Sequence, residues 1–244
     1  MSAAESSLGV EQAVREVRAS IEEACRRVGR RPEEVRLVAV TKGVPVLRVR
    51  EALAAGVEDF GENYASELAA KAALVPEAVW HFIGRLQTGT APRVADHARW
   101  VHSAEPERAL ERVARRVARA GGELRCLVQV DFTGRRQGVR PDDVEAAVEA
   151  LAGLSAVRVV GLMTLPPWEG TAEGSRPYFR ALRELRDRLR ERWPELRELS
   201  MGMSGDYEVA VEEGATMVRI GTALFGPRPA PAGGGAPGDS GRER

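Results

Sequence analysis

At 244 residues, 43% of them apolar and 30% charged, the chain can bury one large core and has the length of a single barrel domain. Lysine plus arginine equals aspartate plus glutamate at 36 each, so no net field draws nucleic acid or an anionic membrane to the surface, and neither is expected as a partner. Cys25 and Cys126 lie far apart without Cys-x-x-Cys or His/Cys ligand spacing, and the polar, acidic N-terminus leads into no apolar run long enough to span a bilayer; two buried thiols in a cytoplasmic protein are the expectation.

The first predicted element is a helix. Val10, Val14, Val17, Ile21, Ala24, Cys25 and Val28 recur at the three-and-four spacing of one face, and Gly29 follows as a C-terminal cap before Pro32. Eight short runs rich in β-branched residues come next: Val35 to Thr41, Val57 to Phe60, Val79 to Ile83, Trp100 to His102, Leu124 to Asp131, Val157 to Met163, Glu198 to Met201 and Met217 to Ile220. Those at 57 and 100 are the weakest. Helical stretches separate the runs, the clearest at 175 to 193, where Tyr178, Leu182, Leu185, Leu189 and Trp193 form one stripe. Regular alternation of strand and helix calls for a parallel sheet with helices outside it. Eight repeats in a chain of this length predict an α/β fold, a single (β/α)8 TIM-type barrel with a leading N-terminal helix. From Pro227 onward the chain is too rich in Pro and Gly to fold, so the barrel is expected over 1–226 and a disordered tail over 227–244.

Side chains at the C-terminal ends of barrel strands converge on one mouth, which makes every strand end a candidate site position. The first run is apolar until Lys42. A lysine there is costly unless paired, neutral or covalently engaged; from this run alone, an ammonium reaching out to solvent is the plainer reading and a Schiff-base amine the sharper one. Asn63, after the second run, suits a helix cap and a polar ligand equally. His81, inside the apolar third run, reads as a satisfied core histidine with no metal-ligand partners. After the seventh run, Ser200 to Asp206 form a glycine-punctuated loop whose amides and Ser204 hydroxyl suit an anion. The eighth run ends on Gly221 and Thr222, a second source of phosphate-facing amides at the place where such barrels bind phosphate. For Arg219, one position before the strand exit, strand alternation is compatible with an inward or a surface side chain.

Five segments in order carry a resemblance: AVTK at 39–42, DFGENY at 59–64, WHFIGRLQ at 80–87, GLMTLP at 161–166 and LSMGMSGDYEVAVEEGATMVRIGTALFG at 199–226. Together, over Val10 to Pro227, they resemble the YggS/PROSC family of pyridoxal phosphate homeostasis proteins, whose fold is similar to the barrel domain of alanine racemase. The resemblance implies pyridoxal 5′-phosphate (PLP) held as a Schiff base on Lys42, phosphate contacts from Ser204, Gly221 and Thr222, and Arg219 beside the pyridine nitrogen. Asn63 matches a cofactor-pocket position. The chain departs from the family pattern at Thr88-Gly89-Thr90 and at Gly43, and its 131–138 segment is shorter than usual, so no residue is carried over from there.

An arginine beside the pyridine nitrogen opposes its protonation and weakens the cofactor as an electron sink. A racemase also needs acid-base groups on both faces of its substrate. In alanine racemase the second comes from an added β domain of the partner subunit, for which nothing after Gly226 is a counterpart; Tyr64, His81 and Tyr207 are the remaining candidates for such a group. The expectation is therefore a monomeric carrier acting in PLP homeostasis or delivery to PLP-dependent apoenzymes, without robust catalysis. A PLP-dependent amino-acid racemase of the same fold is the alternative, and a phosphate-binding barrel without PLP the weaker third.

Overall fold

The computed structural model describes residues 3–227, with side chains from residue 9 onward. Helix α1 (Ala3–Arg27) buries Val10, Val14, Val17, Ile21, Ala24 and Cys25 as their spacing predicts, whereas Val28 lies past the last turn and is 43% exposed. Gly29, at φ 68°, closes the helix in a Schellman motif: Arg30 N–H donates to the Cys25 carbonyl at 2.9 Å and Gly29 N–H to that of Arg26. The chain then runs β1 (Arg36–Val40), α2 (Val46–Ala54), β2 (Asp59–Glu62), α3 (Ala65–Leu74), β3 (Val79–Phe82), α4 (Ala91–His97), β4 (Trp100–Ala104) and α5 (Arg108–Arg119). It continues through β5 (Leu124–Val130), α6 (Val144–Ala152), β6 (Val157–Thr164), α7 (Arg176–Leu189), β7 (Glu198–Ser200), α8 (Tyr207–Glu212), β8 (Met217–Ile220) and α9 (Thr222–Phe225).

The strands form a closed barrel in sequence order, β8 pairing in parallel with β1 so that Val38 stands opposite Arg219. Successive strand residues face opposite sides of a sheet, which gives the barrel two cores. Val38, Trp100, Leu127, Met163 and Met217 pack as one cluster inside it, and the larger cluster fills the layer between strands and helices. Both cysteines are free and buried.

The two weakest predicted runs are strands, with shifted bounds. Val57 is taken up by the end of α2: its N–H donates to the Ala52 carbonyl at 3.0 Å across the left-handed Gly56 (φ 84°), so β2 begins only at Asp59. In α7 the buried face holds Phe179, Leu182, Leu185 and Leu189. Tyr178 is not on that face; its hydroxyl donates to Glu169 at 3.2 Å. Trp193 follows the helix and is half-buried.

Among the described residues no helix is long and apolar enough to cross a membrane, and no group of three or more His, Cys, Asp or Glu could hold a metal ion. The tail expected over 227–244 lies, from 228 on, outside the described residues.

Candidate active site at the barrel mouth

A cavity of about 440 Å³ opens at the C-terminal mouth, and Lys42, Asn63, Ser204, Arg219, Gly221 and Thr222 all line it. Strand alternation explains the first. Val38 and Val40 of β1 face inward, and Lys42, two positions beyond, projects the same way into the cavity, half-buried. The backbone beneath it is fixed. Thr41 N–H donates to the Gly61 carbonyl at 3.0 Å, Thr41 Oγ1 to Glu62 Oε1 at 2.6 Å, and Gly43, at φ 70°, sends its N–H to Glu67 Oε2 at 2.8 Å.

The chain contains only two lysines, and the second, Lys71 of α3, completes this support from outside the barrel. Its Nζ donates to the Thr41 carbonyl (2.6 Å), to Glu62 Oε1 (2.6 Å) and to Glu67 Oε2 (2.7 Å). Three acceptors at that range engage all three N–H bonds of an ammonium. Burial pushes the Glu62 carboxyl up, against the bonds from Lys71 and Thr41. Lys71 is thus buried in ionic contacts, while Lys42 is the lysine presented to the cavity.

Asn63 is not a cap. Tyr64 holds the capping position of α3 and makes no side-chain bond there, whereas Asn63 Oδ1 is buried without a hydrogen-bond partner. A buried, unpaired amide oxygen costs roughly 1–3 kcal/mol and calls for a partner that fills the cavity. Its backbone carbonyl is packed so closely on Gly84 that a Cβ there would stand 2.0 Å away, which makes glycine obligatory in the third segment.

Arg219 points inward and is 4% exposed. Nη1 donates to Ser200 Oγ at 2.5 Å and Nη2 to the Thr164 carbonyl at 3.0 Å. Burial pushes the guanidinium down to about 10, opposed by the charge of Asp206. Arg219 therefore carries its charge at the cavity floor.

The opposite wall comes from the last two strand-end loops. Gly202, at φ 90°, allows the turn after β7; a Cβ there would meet that of Ala210 at 2.6 Å. Asp206 ties the loop into one shape by accepting from Met203 N–H and Ser175 Oγ, both at 2.7 Å. Ser204 Oγ accepts from Ala223 N–H at 3.3 Å, joining this loop to the turn at Gly221 and Thr222.

One charged residue of the cavity was not among the candidates that the sequence pointed to. Exposed Arg136 reaches the rim from the 131–138 loop, which Asp131 organises by accepting from Thr133 N–H (2.9 Å) and Arg136 N–H (3.1 Å). The Asp131-x-Thr133-Gly134 pattern signals such a turn but not its direction. The cavity lining thus includes Lys42, Arg136 and Arg219 and, among the described residues, no carboxylate; it favours an anion. Tyr64, His81 and Tyr207 do not line it, and Tyr64 is 57% exposed. His81 is a satisfied core histidine, with both ring nitrogens within 2.8 Å of partners.

The family model described as "Alanine racemase, N-terminal domain" matches residues 15–229. A pyridoxal phosphate homeostasis protein of Pseudomonas aeruginosa is 42% identical over 219 residues, covering 88% of this chain and 94% of its own. One from Aquifex aeolicus is 40% identical over 213 residues, covering 85% and 93%. Among solved structures, that of PipY from Synechococcus elongatus with PLP bound superposes with a TM-score of 0.75 at 37% identity, over 84% of this chain and 100% of that one.

Proposed function

This chain belongs to the alanine racemase N-terminal domain family, among the pyridoxal phosphate homeostasis proteins, and on that footing we propose that it holds PLP at the barrel mouth through Lys42 and serves PLP homeostasis or delivery rather than amino-acid turnover. The observation that carries the reading is the cavity itself. It presents one of the chain's two lysines, a buried guanidinium and an unpaired amide oxygen to a single space that, among the described residues, no carboxylate lines. Those features fit the cofactor, which when bound supplies an aldehyde able to condense reversibly with a primary amine, a phosphate dianion and a ring nitrogen.

Each residue then has a task. Lys42 Nζ is the anchoring amine. Ser204, Gly221 and Thr222 hold the phosphate from a loop pair that Asp206 keeps in shape before anything binds. Arg219 donates to the ring nitrogen and, as a permanent cation, opposes its protonation. Asn63 Oδ1 gains the partner it lacks. An unprotonated ring weakens carbanion stabilisation while leaving exchange at the amine intact, which suits a carrier. Tyr64, His81 and Tyr207, the candidates for a second acid-base group, stand off the cavity, which supports the carrier over the racemase. All six cofactor positions come from a single chain, so the reading needs no second subunit and a monomer suffices. Acceptor apoenzymes are the partners it implies.

The deciding experiment titrates the purified protein with PLP, follows the absorbance, and then incubates the loaded protein with L-alanine. A saturable new band without D-alanine supports the carrier. Sustained racemisation would make the protein an enzyme, and no band would overturn PLP binding altogether.

A further inference from the structure

Beneath the cavity, one side chain from each of five strands joins a continuous buried chain of polar groups. Arg219 Nη1 lies 2.5 Å from Ser200 Oγ, Ser200 Oγ 2.9 Å from His102 Nδ1, His102 Nε2 2.8 Å from His81 Nδ1, and His81 Nε2 2.8 Å from Asp59 Oδ1. None of the five is more than 5% exposed. At the far end Arg36 Nη1 meets Asp59 Oδ1 at 3.0 Å, and Trp100 stacks on His81 with ring centroids 5.4 Å apart and planes at 4°.

The two ends, with both imidazoles neutral, set the direction of every bond. Arginine only donates and an ionised carboxylate only accepts. His81 Nε2–H therefore donates to Asp59, which leaves Nδ1 of a neutral His81 as an acceptor. His102 Nε2–H donates to that nitrogen, so His102 Nδ1 accepts the Ser200 hydroxyl proton, and Ser200 Oγ accepts from Arg219. All four bonds point from Arg219 towards Asp59, with both imidazoles neutral and protonated on Nε2. Burial, which holds both histidines below their ordinary range, agrees with this assignment. The charged groups that bear on the pair are Asp59, Arg36, Arg219 and Glu198.

The arrangement has an electrostatic consequence. A buried guanidinium is usually neutralised by a carboxylate in direct contact. Here, among the described residues, the hydrogen bonds of Arg219 go to neutral acceptors, the Ser200 hydroxyl and the Thr164 carbonyl; Asp206 acts on it through charge, and Asp59 lies three side chains away and is itself paired with Arg36. We propose that Asp59, His81, His102 and Ser200 are positioning residues that satisfy Arg219 without neutralising it, and so set the proton affinity of the ring nitrogen that Arg219 faces. This rests on the reading that the cavity takes PLP.

The chain can be tested without cofactor and with it. In the apo protein, nitrogen-15 histidine spectra are expected to show His81 and His102 as neutral Nε2–H tautomers between about pH 8 and 5.5; an imidazolium or an Nδ1–H tautomer at either position overturns the assignment. In the PLP-loaded protein, Ser200→Ala is expected to keep borohydride-trappable cofactor on Lys42 while raising the pH midpoint of the bound cofactor's absorbance by about one unit, a tenfold change in proton affinity. Ser200→Thr, which restores the hydroxyl, is expected to return the midpoint to that of the wild type. A midpoint unmoved by Ser200→Ala, in a wild-type protein that does take PLP, overturns the positioning role. Failure of the wild type to take PLP overturns the functional reading instead, and the nitrogen spectra alone then decide the hydrogen-bond chain.

Discussion

Arg219 is the residue whose role depends most on its surroundings, since the same guanidinium on the outer face of β8 would be an ordinary surface charge. Its inward, buried position makes its charge worth more than it would be in water. Arg219→Gln keeps a donor but removes the charge. The expected outcome is that covalent loading persists while the bound cofactor's ring protonates at a higher pH, with the absorbance midpoint raised by more than one unit; an unchanged midpoint would separate Arg219 from the ring. Inward or outward was the alternative that strand alternation left open, and barrel closure onto Val38 of β1 decides it. For Asn63, likewise, the sequence offered capping or ligand contact on equal terms. The helix begins one residue later than capping requires, and the amide is left facing the cavity.

The elements around the site divide into those a periodic pattern reveals and those it does not. Strand ends are legible because an apolar run that stops at Lys42, or at Gly221, marks where a barrel strand leaves its core. The 131–138 loop has no period, and its delivery of Arg136 to the rim depends on the side-chain bonds of Asp131. The buried polar chain is illegible for another reason: Asp59, His81, His102 and Ser200 sit on strands whose neighbourhood exists only once the barrel has formed. Tyr178 and Phe179 show the limit within one helix: both sit close in register to Leu182, yet Phe179 is buried while the Tyr178 hydroxyl donates to Glu169. The β7–α8 loop supplies a test of preorganisation. Asp206→Ala removes the acceptor for both Met203 N–H and the Ser175 hydroxyl. It is expected to weaken PLP binding by roughly tenfold, the equivalent of about 1.4 kcal/mol of loop ordering, with the attachment residue unchanged. Fluorescence or absorbance titration reads this directly, and an unaltered affinity would show that the loop needs no tether.

At the scale of the whole molecule, the buried histidines tie stability to pH. Burial is the main cause of the low proton affinity of His81 and His102 in the folded chain, whereas in the unfolded chain each binds a proton as the pH falls through about 6.5. The unfolded state then holds more protons than the folded one, so stability is full above that pH and declines below it, by up to about 1.4 kcal/mol per pH unit for each histidine. A second loss follows at lower pH. Burial works against the ionised forms of Asp59 and Glu213, yet the hydrogen bond from His81 and the bonds and charge of Arg36, and those of Arg176, Arg180 and Arg183, hold both carboxyls below their ordinary range. Their contribution is present above the unfolded carboxylate value and is lost as the pH falls through the folded one. Urea unfolding of the apo protein between about pH 7.5 and 5.5 checks the first effect; a free energy independent of pH over that range would mean that the histidines are protonated alike in both states.

The central claim, that the cavity at the barrel mouth attaches PLP through Lys42, is tested most directly by reducing the loaded protein with borohydride and mapping the modified peptide. With two lysines in the chain the outcome is close to binary. The account predicts a stable adduct on Lys42 that Lys42→Ala abolishes. An adduct on Lys71, or trapping undiminished in Lys42→Ala, would contradict it.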